Sequence, residues 1–151
     1  MKRFICDQMC GEIARWLRVA GYDTILIDTP LADRDIYRMA IEENRFLLTR
    51  DRHFQEIDPQ GKTVIYFKSE DLDEWAFLLK GYGINWLLDP FSRCIQCNTP
   101  FKKIPPPPQF NDEVPKDVKE CWLCPHCNHV FWRGSHTQKM ESQLAAWQQG
   151  Q

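Results

Sequence analysis

Two segments of the chain repeat one pattern, Cys94-Ile-Gln-Cys97-Asn-Thr-Pro-Phe101 and Cys124-Pro-His-Cys127-Asn-His-Val-Phe131. Both read C-x-x-C-N-x-x-F. A turn of this kind aims two thiols at one point, and Asn tolerates the left-handed backbone needed just after the second Cys. The Phe then opens a strand beneath that point. Two such turns supply four thiolates, the tetrahedral set that zinc prefers, and leave no coordination position open for catalysis. The C-terminal third is therefore expected to fold around a structural Zn2+ held by Cys94, Cys97, Cys124 and Cys127. The span between the turns, 98–123, exceeds the commonest spacing of such sites, so an insertion carrying Pro105–Pro108 should loop out. Cys121 heads a competing Cys121-Trp-Leu-Cys124, but neither Asn nor Phe follows Cys124 at the required offsets. His126 and His129 are weaker competitors to an all-cysteine set, and a disulfide framework is the bland alternative. Cys6, Cys10 and Cys121 are expected to be buried free thiols.

The rest of the composition bounds the setting. A chain of 151 residues holds one ordinary domain, or a compact domain plus a small one that needs a staple. A net charge of −2 neither announces nor excludes a nucleic-acid partner, because the local field decides that. No apolar run approaches the ~20 residues of a membrane span. The N-terminal MKRFICDQMC becomes charged too early for a signal peptide. Seven cysteines, an odd number, then point to thiols and metal in a reducing cytoplasm.

Upstream of residue 90 the apolar periodicity alternates. Short strands are expected at 3–6, 24–27, 46–49 and 63–67, and helices at 11–20, 34–44 and 70–80. Ile13, Leu17 and Ala20 share a stripe that Gly21 ends, and Asp33 is placed to cap the second helix over Ile36, Tyr37, Ala40 and Ile41. Strands alternating with helices imply an α/β fold, a mostly parallel sheet with helices on its faces. Proline and cysteine dominate after Phe91, and helical periodicity returns only at 137–148. The expected division is 1–90 for the α/β domain and 91–151 for the ribbon with its C-terminal helix.

In an open α/β sheet the ligand site lies beyond the carboxyl ends of the strands. Asp7, Asp28 and Asp51 each fall at such an end, and Asp33 opens the next helix. Carboxylates gathered on one edge raise one another's pKa. A divalent cation such as Mg2+ removes that cost and suits a phosphodiester substrate. Arg15 and Arg18, three apart on a helix, and Arg50 and Arg52, flanking Asp51, would then be left to face phosphates. Each of these residues also has a bland reading as a cap or a solvated charge. Phe131 and Trp132 could stack on bases, although an aromatic after a metal knuckle is more often core.

Several blocks of the chain resemble, in order, the Mut7-C family. They are Phe4-Ile-Cys-Asp7-Gln-Met9-Cys-Gly11-Glu-Ile-Ala-Arg15-Trp16-Leu17-Arg18, Leu47-Leu-Thr49-Arg50-Asp51-Arg52, Arg93-Cys94-x-x-Cys97-Asn98, and Cys124-Pro-x-Cys127 with Trp132-Arg-Gly134-Ser135-His136. The resemblance implies a PIN-like ribonuclease domain fused to a zinc ribbon, with RNA as partner and Mg2+ or Mn2+ as catalytic metal. It implies Asp7, Asp33 and Asp51 as the catalytic, metal-binding acids. Asp33 enters through Asp33-Arg-Asp-Ile36, where the strand-end reading favours Asp28; Asp28 and Asp35 stay in reserve. His53 stands where related chains often carry a fourth acid. Arg15, Arg18, Arg50 and Arg52 are the expected substrate-binding residues. The alternative is an RNA- or ribosome-associated binding module without catalysis.

Overall fold

In a computed structural model, which describes residues 1–105 and 118–150, four strands form one parallel sheet. These are β1 (Phe4–Cys6), β2 (Thr24–Leu26), β3 (Phe46–Thr49) and β4 (Val64–Tyr66), in the order β2-β1-β3-β4. Helix α1 (Gly11–Val19) links β1 to β2, and α2 (Asp33–Glu42) links β2 to β3. The short α3 (His53–Ile57) and then α4 (Leu72–Gly81) lie to either side of β4 in the chain. Side chains alternate across a strand, and this sorts the core into two layers. Phe4, Cys6, Leu48 and Ile65 join Ile13, Leu17, Ala76 and Leu79 on one face. Ile5, Leu47 and Val64 join Ile36, Ala40 and Phe54 on the other. Burial on both faces explains why these strands read as continuous apolar runs.

The strand order places a switch point between β1 and β3. From β1 the chain moves to β2 on one side, then returns to β3 on the other, with α1 and α2 packed in opposite layers. The connections diverge there and leave a crevice beyond the strand ends.

Three local expectations are corrected. Asp33 is the first residue of α2 rather than its cap; Ala32 takes the cap position without a side-chain bond. This frees the Asp33 carboxylate for another partner. Ile41, expected inward, is 52% exposed, because it lies on the ridge of α2 beside a groove against α3, while Ile36 and Ala40 face the sheet. The segment after Asp51, read as a connection, forms α3 and buries Phe54.

Strands β5 (Lys102–Ile104), β6 (Cys121–Leu123) and β7 (Val130–Trp132) form an antiparallel sheet, and α5 (Ser135–Gln149) follows. The expected proline-bearing insertion lies, beyond Pro105, outside the described residues. Helix α5 packs on the α/β unit: Leu144 and Trp147 belong to its larger core cluster. The Trp147 ring meets those of Trp16 and Trp86 at 5.0 and 4.9 Å, and its Nε1 donates to Asp73 at 2.8 Å. The helix grouped with the ribbon by chain order thus shares a core with residues before 90.

Candidate metal centre and acidic cleft

The two knuckles superimpose bond for bond. Asn98 N donates to Cys94 O and Asn128 N to Cys124 O, both at 2.9 Å; Cys94 N donates to Thr99 O and Cys124 N to His129 O, also at 2.9 Å. Asn98 and Asn128 have φ of 71° and 63°, the left-handed backbone that the repeat anticipates. The Sγ atoms of Cys94, Cys97, Cys124 and Cys127 all lie within 4.8 Å of one another. Zn–S bonds of about 2.3 Å in a tetrahedron place sulfurs roughly 3.8 Å apart, so the set fits a four-thiolate zinc. Cys121 is fully buried at the head of β6 and outside the set. Burial pushes the Cys94 thiol up to about 12. At Cys97 burial acts in the same direction, but hydrogen bonds from Thr99 and the neighbouring thiols bring it down to about 6. His129 Nδ1 lies 3.1 Å from Cys127 Sγ, beside the ligand set rather than in it. Phe131 stacks between Phe91 and Phe101 at 5.6 and 5.5 Å, which makes it a core residue beneath the knuckles.

Arg18 corrects a sequence expectation. It does not face solvent as a phosphate ligand; it is buried and donates to Thr24 O, Ile95 O and Gln96 O at 2.9, 2.8 and 3.1 Å. The last two carbonyls belong to the first knuckle. Asn98 completes the joint: its Oδ1 accepts from Thr24 N at 2.9 Å and its Nδ2 donates to Asp23 at 2.7 Å. Burial raises the Asp23 carboxyl, but hydrogen bonds from Arg45 and Asn98 and the charges of Arg45 and Arg93 outweigh it and hold Asp23 at about 2. The ribbon is therefore fastened to the edge strand β2 by polar groups that are nearly all satisfied internally.

Asp7, Asp33 and Asp51 line one cleft of about 200 Å³, with Met9, Leu31, Ile36 and Phe54 on its walls. Asp28 and Asp35 do not line it. Asp7 caps a 3-10 turn, Gln8–Cys10, accepting from Met9 N at 3.1 Å. Its other oxygen accepts from the Thr49 hydroxyl, which in turn accepts from Asp51 N at 3.0 Å. Fully buried Thr49 thus ties the acid after β1 to the acid after β3. It was missed in the sequence, where its only signal was a hydroxyl ending a buried strand. Asp33 is bonded to His53 Nδ1 at 2.7 Å; this hydrogen bond, opposed by desolvation and aided by the charges of Asp33, Glu56 and Asp51, raises the pKa of the imidazole.

Among the described residues only the cysteine set brings three or more possible ligand atoms all within 4.8 Å of one another, so the three carboxylates share a cleft without all lying that close together. None of the four arginines is among the cleft-lining residues. Arg15 and Arg52 are exposed; Arg50 turns aside to Ser69 O, with Glu70 at 3.8 Å. Burial pushes the thiols of Cys6 and Cys10 up, which leaves both inert.

A parallel α/β unit with acids beyond its strand ends is joined here to a four-cysteine ribbon. The model of the Mut7-C RNAse domain family matches residues 2–144, and the chain belongs to that family. No curated protein and no solved structure matches it. Family membership points to nuclease-type chemistry with RNA as substrate. Among the described residues no helix is long and apolar enough to cross a membrane.

Proposed function

We propose that this protein is a metal-dependent ribonuclease that hydrolyses RNA phosphodiester bonds in the cleft beyond β1 and β3. The supporting observation is that Asp7, Asp33 and Asp51, brought from three separate elements, line that one cleft. Their oxygens are hard donors of the kind Mg2+ or Mn2+ takes, and Mg2+ needs only one or two carboxylates beside its waters. The fit therefore does not require all three acids to touch. When bound, such an ion neutralises charge at the phosphate and lowers the pKa of water. The chain's own residues supply the frame. Thr49 fixes the spacing of Asp7 and Asp51, and His53 orients Asp33. Arg15, Arg50 and Arg52 stand outside the cleft; the exposed Arg15 and Arg52 would meet the RNA on either side of the scissile bond. The four-thiolate zinc has no open position and is structural; the ribbon it folds extends the RNA-binding surface. Cys6, Cys10 and Cys121, buried thiols outside the zinc set, suit a reducing, cytoplasmic setting.

Purified protein with Asp7→Asn and Asp51→Asn should retain its melting profile and lose Mg2+- or Mn2+-stimulated RNA cleavage. Undiminished cleavage by that double variant would sink the reading. A second reading, RNA binding without cleavage, draws on the His53 imidazole that occupies Asp33 where a further acid would stand. It is distinguished by RNA binding with no time-dependent products from the wild-type protein under the same metals.

A further inference from the structure

Next to the acidic cleft, α2 and α3 enclose a second and larger groove of about 620 Å³, lined by Arg34, Tyr37, Arg38, Ile41, His53 and Ile57, with Glu56 at its side. Positions 34, 37, 38 and 41 recur at helical spacing, so they form one ridge of α2 facing α3. The groove meets the cleft at His53, whose ring lines the groove while its Nδ1 holds Asp33 of the cleft. The two hollows thus adjoin at the His53–Asp33 pair. Their chemistry differs. The cleft carries three carboxylates, whereas the groove offers two guanidinium groups against one carboxylate, beside a half-buried phenol ring and two isoleucines. Among the described residues Arg34 makes no ion pair, and Arg38 meets only Asp35, at 3.5 Å on the exposed side of α2. Ile41 is the one large apolar side chain of α2 left exposed.

We propose that this groove is a subsite for single-stranded RNA, seating a nucleotide next to the one whose phosphate enters the acidic cleft. Arg34 and Arg38 take backbone phosphates, and Tyr37, with Ile41 and Ile57 beneath, offers a face on which a base stacks. The occupant follows from charge and continuity. A strand that must place one phosphate among carboxylates needs cations beside them to hold the phosphates that follow. Aromatic faces alternating with guanidinium groups are the general means of holding unpaired bases without sequence readout. The volume is within the ~300–1,000 Å³ of sites that enclose small ligands. The inference rests on the ribonuclease reading for the direction of the strand, but the binding it predicts is separable from cleavage.

The test measures fluorescence anisotropy of a labelled 12-nucleotide single-stranded RNA on the full-length, zinc-loaded protein across a salt series, alongside cleavage of the same strand. Arg34→Ala with Arg38→Ala should raise Kd about tenfold and reduce the log–log salt slope by about 1.4, two contacts at roughly 0.7 each. Arg34→Lys with Arg38→Lys should restore the slope. Tyr37→Leu should weaken binding about tenfold with the slope kept, since stacking is uncharged. Lys80→Ala with Lys139→Ala, lysines on α4 and α5 in the layer across the sheet from the groove, should change Kd less than twofold. If the arginine variant binds as wild type does, or the remote lysine pair weakens binding equally, the groove is not a subsite. If wild type binds RNA without cleaving it while the groove variants still bind less, the subsite stands and the ribonuclease reading falls. Absence of RNA binding by wild type overturns both.

Discussion

Arg18 satisfies three backbone carbonyls at once, two of them in a knuckle more than seventy residues away. Such a group is costly to remove, because its acceptors stay buried without donors. Arg18→Met should destabilise the protein by about 2–4 kcal/mol, read as a lowered urea midpoint, with the ribbon becoming protease-sensitive first. Asp23 works at the same joint and lends it a pH dependence. Its folded pKa of about 2 lies below the unfolded value of 3.8, so its contribution is fully present above pH 3.8 and is lost as pH falls towards 2. Because Asp23 keeps some solvent contact, that contribution is about 1–2 kcal/mol after screening. Asp23→Asn should flatten the acid limb of a stability–pH curve between pH 4 and 2. An unchanged limb would show that other carboxylates set it.

At the scale of elements, the turn after α1 shows how a backbone position couples the two halves. Gly21 has φ of +102°, and a Cβ there would lie 2.6 Å from Asp89 O. Gly21 O also accepts from Arg93 Nε, which leads into the first knuckle. Gly21→Ala should therefore cost about 2 kcal/mol or more, measurable as a lower Tm, since the obstructing atom is backbone and cannot rotate away. Helix α5 is the second coupling element. Trp147→Ala removes the ring packed on Trp16 and Trp86 and should cost about 3–5 kcal/mol, detected by denaturant unfolding. The helices and strands themselves were legible because periods of 3.6 and 2 are imprinted by burial on the sequence. Helix α3 was not, since five residues are too few to display a period. The position of α5 was not either, because an apolar stripe shows that a helix packs without showing on what.

For the whole molecule, zinc and the α/β core are two supports of unequal reach. Chelating the metal should loosen the knuckles and the β5–β7 sheet before the rest. Trp86 and Trp147 should keep their near-ultraviolet signals, whereas Trp122 and Trp132, in that sheet, should lose theirs. A single concerted loss of all signals would mean that the Arg18–Asn98 joint makes one folding unit of both halves. Acidification should release zinc as well, since each ligand must be a thiolate.

The four-cysteine set was legible in the sequence alone, because a knuckle is a local turn whose demands fall on residues three and four apart. The same holds for the parallel α/β class, whose strands and helices each carry their own burial pattern. The structure lines the cleft with Asp33, which the family resemblance implies, and not with Asp28, which the strand ends favour; it alone turned Arg18 from an expected phosphate ligand into a fastening for the ribbon and revealed Thr49 between the two acids. Those outcomes depend on where separate elements meet, and a side chain's neighbours across a sheet leave no spacing in the chain to read.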